Sequence, residues 1–405
     1  MIITNIKGLY GLWAEGKERA AGAEMAQIPM LEDAYLVIEN GTVKDFGKMS
    51  EFSLGGSDYD ASGRYVMPAF ADSHTHLVYS HPREQEWRDR IEGLSYEDIA
   101  RRGGGILNSA IRVREASEDE LFESALQRVE AIRATGTGAV EIKSGYGLSL
   151  DSELKMLRVI ARLKEASDLN IKSTLLAAHA VPVEYKGRQG DYVEHIVKDI
   201  LPAAASEGLV DYIDSFCDEG FFTVEETRDM LKAAARYGIR GKIHANELAP
   251  SGGVELGCQM GCLSVDHLEE MDDKAMAALQ NNPLTMPTGL PQASLFLGIP
   301  YTPLRSMIDS GLAVALASDF NPGSAPSGNM QLVGSLGCIG SKILPLEALT
   351  ASTLNSAAAM GLSQDYGAIR KGRKANLLIT KKMPSVDYIY YSFGENNVER
   401  VILNK

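Results

Sequence analysis

Eight apolar segments alternate with amphipathic stretches along the middle of the chain. Uninterrupted apolar strands that are separated by helices predict a parallel sheet with both faces covered. Eight strand–helix units within roughly 300 residues are typical of a (β/α)8 TIM barrel, an α/β fold. A doubly wound open sheet is the alternative, and it is disfavoured because no G-x-G-x-x-G follows any of these segments. The segments span residues 65–72, 138–147, 171–180, 209–219, 239–247, 262–269, 283–290 and 312–323.

Both ends of the chain are rich in β-forming residues and lack helical periodicity. Residues 35–47, YLVIENGTVKDFG, contain two β-rich runs around Asn40-Gly41, which is a strong hairpin signal. Residues 367–380 and 386–405 have a similar composition. We therefore expect one small β-sandwich domain built from both termini, at residues 1–62 and 365–405, and a barrel domain at residues 63–364.

The charge balance limits the kinds of partner. The 405 residues carry a net charge of −14, whereas a nucleic acid or an anionic membrane would favour a basic surface. The segment MIITNIKGLYGLWAEGKERA lacks the basic and apolar regions of a signal peptide, and no run of about 18 apolar residues predicts a membrane span. We expect a cytoplasmic protein that acts on a small molecule, and an anionic substrate remains compatible with this charge.

Histidines and acidic residues collect where the predicted strands end, which is where TIM barrels carry their active sites. His74 and His76 follow the first strand one residue apart, so their side chains project from the same face. Five of the seven histidines lie at strand ends, although any one of them alone could be a buried histidine bonded to a carbonyl. The strand-end polar residues are Asp72, His74, His76, Lys143, Tyr146, His179, His244, Glu247, Asp266, His267, Asp319 and Asn321.

A closed barrel would bring part of this set together around one ion. Three imidazoles and one carboxylate suit zinc or iron, with at least one position left for water. That set is His74, His76, His244 and Asp319. We therefore expect a metal site at the carboxyl ends of the strands.

These features resemble the amidohydrolase superfamily. Its pattern is an H-x-H after the first strand, histidines after the fifth and sixth, and an aspartate after the eighth, and GAIRKGRKANLLI is similar to its return into a small β domain. Finer motifs resemble the imidazolonepropionase family, in order, along nearly the whole chain. They are DSHTHLVYSHPREQEW, SYEDIARRGGGI, TGAVEIKSGYGL, AAHAVP, KIHANEL, SVDHLE and SDFNPGSAPSGNM, of which EIKSGYGL and SDFNPGSAP are the most specific.

The resemblance implies a hydrolase of histidine degradation. Such an enzyme opens the ring of 4-imidazolone-5-propionate with water and gives N-formimino-L-glutamate. The resemblance also implies a homodimer with one zinc or iron ion per subunit, held by the set of four residues named above. It implies substrate contacts from Arg83, Tyr146, His179, Glu247, Asn321, Gly323 and Ser324.

The residues themselves agree with hydrolysis. Opening a cyclic amide at neutral pH needs an activated water and a group that returns a proton to the leaving nitrogen. Glu247, His267 and Asp319 are the candidates, and the sequence does not rank them. The fourth strand ends in DSFCDE, without the lysine that binuclear relatives use. We therefore expect one metal, and an ion pair for Lys143.

Arg83 is the expected partner of the substrate propionate, because a guanidinium can bind a carboxylate through two parallel bonds. The chain departs from the family pattern at His81-Pro82, where a stiff proline leaves the reach of Arg83 open. The alternative enzyme is a mononuclear deaminase or another cyclic amidase of the superfamily, which would need no carboxylate clamp. The non-enzymatic alternative is a barrel that binds a metabolite without catalysis.

Overall fold

The structure is a computed structural model that describes residues 1–53, 55–94 and 104–404. Its strands form two separate sheets, one from the chain ends and one from the middle. The strands are β1 (Ile2–Tyr10), β2 (Met30–Glu39), β3 (Thr42–Lys48), β4 (Tyr59–Asp60), β5 (Tyr65–Pro68), β6 (Phe70–Asp72), β7 (Thr137–Lys143), β8 (Asn170–Ala178), β9 (Tyr212–Cys217), β10 (Arg240–Gly241), β11 (Ile243–Ala245), β12 (Ser264–His267), β13 (Met286–Gly289), β14 (Ala315–Leu316), β15 (Leu377–Thr380) and β16 (Val398–Ile402).

Strands from both termini form one seven-stranded sheet in the order β16-β15-β5-β1-β2-β3, with β4 also paired to β1. The hairpin between β2 and β3 turns at Asn40 and Gly41, whose φ angles of 50° and 74° lie in the left-handed region that a type I′ turn requires. Ile3, Ile6 and Ile379 lie in its apolar core. The predicted hairpin and the predicted joining of the two termini are confirmed.

The middle of the chain forms a parallel barrel in the order β6-β7-β8-β9-β11-β12-β13-β14, with β10 paired to β9 just before β11. The barrel closes immediately beyond β6 and β14. The N–H of Asp319 donates to the carbonyl of His74 at 2.9 Å, and the N–H of His76 donates to the carbonyl of Phe320 at 2.9 Å. The predicted TIM barrel is confirmed.

The first predicted strand, residues 65–72, is in fact two strands that belong to different sheets. Tyr65–Pro68 pairs with β1 and β15, and Phe70–Asp72 pairs with β7 in the barrel. Pro68 has no N–H and cannot donate to a ladder, which favours a change of sheet at this point. The prediction of one continuous strand is therefore wrong. The expected domain limits at residues 62 and 365 stay predictions.

Helices alternate with the barrel strands, and Ser117 caps the start of one of them. The Ser117 hydroxyl accepts the N–H of Glu120, whose carboxylate accepts the N–H of Ser117.

Within the described ranges, no helix has the length and apolar character needed to cross a membrane. The α-helices are Glu84–Ile91, Ile106–Glu115, Glu118–Ala134, Leu150–Ala166, Gln189–His195, Leu201–Ser206, Val224–Ala235, Gly253–Met260, Asp273–Asn281, Pro291–Leu297, Leu304–Asp309, Met330–Ile339, Pro345–Thr350, Ser356–Ala359 and Tyr388–Tyr391.

Asp72 and Ser318 strengthen the closure of the barrel. The Asp72 carboxylate accepts the N–H of Ser318 at 2.9 Å and its hydroxyl at 2.5 Å. Neither residue has any exposed surface. These two bonds join β6 to the segment after β14, next to the backbone bonds that close the sheet.

We expect Ser318→Ala to lower the free energy of unfolding by about 1–3 kcal/mol, because a buried oxygen of Asp72 would lose its donor. Ser264→Ala is the matched control: Ser264 is equally buried on β12, and its hydroxyl has no hydrogen-bond partner within the described residues. Denaturant unfolding measures both variants. Equal losses in the two would contradict a stabilising contact between Asp72 and Ser318.

Candidate active site

Three histidine side chains meet beyond the carboxyl ends of β6 and β11. Nε2 of His76 lies 3.3 Å from Nε2 of His74 and 3.4 Å from Nε2 of His244. Each residue is at most 2% exposed. Three imidazole nitrogens this close need a shared proton or a cation between them, because their lone pairs otherwise repel one another.

A carboxylate lies behind two of these rings. Nδ1 of His74 lies 2.7 Å from Oδ2 of Asp266, and Nδ1 of His244 lies 2.9 Å from Oδ2 of Asp214. Each contact favours the tautomer with its proton on Nδ1, which leaves Nε2 as an electron-pair donor. Burial lowers the pKa of His74 well below its ordinary value and that of His244 to about 4. Both rings are therefore neutral, the state in which imidazole binds a metal.

Asp319 adds an oxygen to this cluster. Its Oδ1 lies 3.6 Å from Nε2 of His74 and 3.4 Å from Nε2 of His76. Its Oδ2 accepts hydrogen bonds from Nδ2 of Asn321 at 2.8 Å and from the Ser324 hydroxyl at 3.3 Å. One carboxylate oxygen is thus held by the turn after β14, and the other faces the histidines.

Two lysines without exposed surface lie behind the histidines, inside the barrel. Nζ of Lys143 lies 2.7 Å from Glu141 and 2.8 Å from Asp214, so the ion pair expected for Lys143 is present. Nζ of Lys242 pairs with Glu141 and lies 3.6 Å from Asp266. The carboxylates that contact His74 and His244 are therefore each close to a buried ammonium group.

His267 and Glu247 form a second ionisable group of the site, with Glu247 Oε2 3.5 Å from Nε2 of His267. Burial alone would lower the pKa of His267, but the carboxylates of Glu247 and Glu269 outweigh it and raise that pKa. Burial raises the pKa of Glu247, against the attraction of His267. This pair can hold and move a proton near neutral pH.

A cavity of about 480 Å³ lies against the cluster. Most of the residues predicted from the sequence line it, and His74 lies just outside this lining, in contact with His76. Leu297 and Ile299 come from the segment after β13, in which the sequence analysis predicted no site residue. The predicted lining residues are His76, Arg83, Tyr146, His179, His244, Glu247, His267, Asp319, Asn321, Gly323 and Ser324, and the unpredicted ones are Arg90, Ile106, Phe216, Phe221, Leu248, Leu297 and Ile299.

The turn after β7 places Tyr146 in the cavity. The buried Glu153 carboxylate accepts the N–H groups of Gly145 at 3.1 Å and of Gly147 at 2.8 Å. Gly145 has a φ of 103°, and a Cβ on Gly147 would come within 2.5 Å of the Glu153 backbone nitrogen. Nδ1 of His179 donates to the Gly145 carbonyl at 3.1 Å, which leaves its Nε2 as an acceptor.

Arg83 reaches the cavity in spite of the preceding His81-Pro82. Its Nη2 lies 2.5 Å from Oε2 of Glu86. A Cβ on Gly323 would lie within 2.2 Å of Arg83 Nη1, so the guanidinium packs on the bare backbone of Gly323. The N–H of Gly323 donates to the side-chain oxygen of Asn321 at 2.7 Å and is engaged within its own turn.

Comparisons with known proteins agree with this geometry. The model of the amidohydrolase family matches residues 65–404. An imidazolonepropionase of Christiangramia forsetii is 49% identical over 406 residues, which cover 100% of this chain and 98% of the relative. The chain belongs to the imidazolonepropionase family of amidohydrolases. An imidazolonepropionase of Flavobacterium johnsoniae is also 49% identical, over 100% of this chain and 98% of its own length.

Solved structures show the same fold. A 5-methylcytosine deaminase from Klebsiella pneumoniae has a TM-score of 0.75 and 19% identity, covering 100% of this chain and 96% of its own. An atrazine chlorohydrolase from Arthrobacter aurescens, complexed with zinc, has a TM-score of 0.73 and 15% identity, covering 99% of this chain and 93% of its own. The barrel with its terminal sheet is therefore shared well outside the imidazolonepropionase family.

The donor set of this imidazolonepropionase-family chain fits a metal ion. Zinc–nitrogen bonds of about 2.0–2.1 Å in a tetrahedron separate neighbouring nitrogens by about 3.3 Å. The two Nε2 separations of 3.3 and 3.4 Å match that spacing.

Of the motifs that indicated the family, residues 95–103 of SYEDIARRGGGI lie outside the described residues.

Sequence reasoning missed Asp214, which contacts His244, and Glu141, which pairs with the buried Lys143 and Lys242. Asp214 and Glu141 each lie within a barrel strand that is buried along its whole length. An ionised side chain in such a strand must be paired, so an acidic residue inside an apolar run was the available signal. Its partner could not be identified without knowing which strands face each other across the barrel.

We expect Asp214→Asn to weaken metal binding about 10–100-fold, because the partner that fixes the His244 tautomer would lose its charge. Asp211→Asn is the matched control, since Asp211 precedes the opposite end of β9 and pairs with Lys164 and Lys172. Competition with a chelator measures the affinity of both variants. Unchanged affinity in Asp214→Asn would show that the Asp214 charge does not support the ligand set.

Proposed function

We propose that the protein hydrolyses 4-imidazolone-5-propionate to N-formimino-L-glutamate. One observation carries this proposal: a single cavity joins a histidine–aspartate cluster suited to a metal with the guanidinium of Arg83. The first can activate water, and the second is a cation for a propionate. The full-length relatives named imidazolonepropionase support the same reaction.

The proposed cofactor is one zinc or iron ion held by His74, His76, His244 and Asp319. Three neutral imidazoles and one carboxylate suit either metal. When bound, such an ion lowers the pKa of a water and polarises a carbonyl oxygen. The carboxylates behind His74 and His244 support this assignment, because they favour the tautomers that expose both Nε2 atoms.

Glu247 and His267 are the proposed proton carriers. Hydrolysis joins the water oxygen to the ring carbonyl carbon and breaks the bond from that carbon to the ring nitrogen, which takes up a proton. A buried carboxylate with a raised pKa can accept a proton from water and return it to the leaving nitrogen near neutral pH. Oδ2 of Asp319 already accepts hydrogen bonds from Asn321 and Ser324. This favours a role for Asp319 as a metal ligand over a role as a proton carrier.

The proposed substrate contacts follow the two ends of the molecule. Arg83 and Tyr146 bind the propionate, and Nε2 of His179 accepts a ring N–H. We propose that Asn321, Gly323 and Ser324 act mainly by holding Asp319 and Arg83 in place, because their contacts lead to those two side chains. The homodimer and the cytoplasmic location expected from the sequence stay predictions.

The first experiment adds purified protein to freshly made 4-imidazolone-5-propionate and follows the loss of its ultraviolet absorbance. We expect formiminoglutamate to form, the reaction to stop when a chelator removes the metal, and activity to return with added zinc or iron. Elemental analysis of the purified protein identifies the metal. A metal-replete protein that leaves the compound intact would refute the substrate, and a panel of amino-heterocycles would then test the deaminase alternative.

We expect Arg83→Gln to lower kcat/KM for 4-imidazolone-5-propionate about 10–100-fold, because a charge-assisted bond to the carboxylate is worth about 1.5–3 kcal/mol. The propionamide analogue, which carries no charge, should lose much less. Arg88→Gln is the matched control, since Arg88 follows closely but is 70% exposed and pairs with Glu92. Equal losses on the two substrates would contradict a carboxylate clamp.

A further inference from the structure

Glu269 contacts the ring of His267 through the nitrogen opposite to the one that faces Glu247. Oε2 of Glu269 lies 3.6 Å from Nδ1 of His267, and Oε2 of Glu247 lies 3.5 Å from Nε2 of the same ring. His267 and Glu247 line the cavity, whereas the Glu269 side chain has no exposed surface and lies outside that lining. The two carboxylates therefore approach His267 from different sides.

The Glu269 carboxylate is only partly satisfied by other groups. Its Oε1 accepts the hydroxyl of Ser294 at 3.2 Å, and Ser294 is itself fully buried. Its Oε2 has no hydrogen-bond partner within the described residues. Burial of a carboxylate oxygen without a donor is costly, and Nδ1–H of His267 is a donor within a small movement of it.

The backbone of His267 is held in an unusual conformation. His267 and Leu268 have φ angles of 85° and 67°, which are rare for residues other than glycine. The Thr302 hydroxyl donates to the His267 carbonyl at 2.5 Å, and the N–H of Leu268 donates to the Ala245 carbonyl at 3.1 Å. Such strain persists where the surroundings fix it, and it concentrates at functional residues. The backbone conformation thus fixes the position of the His267 ring, and the contacts of its two nitrogens fix its orientation.

We propose that Glu269 is a positioning residue that fixes the tautomer of His267. It accepts the proton on Nδ1, so that Nε2 faces Glu247 and the cavity, as a proton acceptor in the neutral ring and as a proton donor in the protonated ring. In the opposite tautomer Nε2 would carry the proton and could not accept another. The role of His267 in proton transfer is taken from the proposed function. The inference adds Glu269, a residue that does not touch the substrate, to the groups that support that role.

The test compares Glu269→Gln with Glu270→Gln, a matched control at the next residue. We expect Glu269→Gln to lower kcat about 10–100-fold while KM stays within about threefold and the metal content is unchanged. Glu270→Gln should keep kcat within about threefold of the unmodified protein. Ser294→Ala keeps the Glu269 carboxylate but removes its hydrogen bond, and should lower kcat about 3–10-fold. If Glu269→Gln fails to fold, Ser294→Ala decides between a positioning role and a purely structural one.

Nitrogen NMR of protein with labelled histidine gives a readout that does not depend on turnover. The His267 signal is assigned by its loss in His267→Gln. In spectra recorded where the His267 ring is neutral, we expect an Nδ1–H tautomer in the unmodified protein and a mixture of tautomers in Glu269→Gln. An unchanged tautomer in Glu269→Gln, or a kcat within about threefold of the unmodified value, would overturn the proposal. A protein inactive on 4-imidazolone-5-propionate would refute the proposed function, while the NMR comparison would still decide the part of Glu269.

Discussion

The closure of the barrel beyond β6 and β14 is the constraint on which the site depends. The hydrogen bond from the Asp319 N–H to the His74 carbonyl closes the sheet, and it joins two residues whose side chains belong to the same cluster. Asp319 has a φ of 55°, a conformation that aspartate tolerates better than most residues. Closure of the barrel and assembly of the donor set therefore depend on the same contact between the segments after β6 and β14.

The interior behind the histidines is charged where a TIM barrel is usually packed with branched apolar side chains. Lys143, Lys242 and Glu141 have no exposed surface, and they lie among the carboxylates that contact His74 and His244. Replacing buried ion pairs by apolar packing is often neutral or stabilising, so stability alone does not explain this interior. Orientation of the histidines does, because each of His74 and His244 needs a carboxylate at a fixed place, and each carboxylate needs a counter-charge.

The features that the sequence predicted are those that depend on local pattern. Apolar runs separated by helices identify the strands, and the residue at the end of each run falls at the carboxyl end of the barrel whichever strands are neighbours. His74, His76, His244 and Asp319 could be found for this reason. The change of sheet at Pro68 could not, because both halves of residues 65–72 are equally apolar and only the pairing partners differ. Contacts between residues far apart in the sequence, such as Asp214 with His244, could not be predicted for the same reason.

The two halves of the site are supported in different ways. The donor set comes from strand ends backed by the packed barrel, whereas Arg83 and Gly323 lie on the segments that continue from β6 and β14. Arg83 lies seven residues after His76, and Gly323 lies four residues after Asp319, so both segments leave the same closure of the barrel. Under the proposed function, two short segments anchored at one place set the distance between the guanidinium of Arg83 and the histidine–aspartate cluster. Related barrels can keep the strand ends and change these segments, which separates the choice of substrate from the chemistry of water activation.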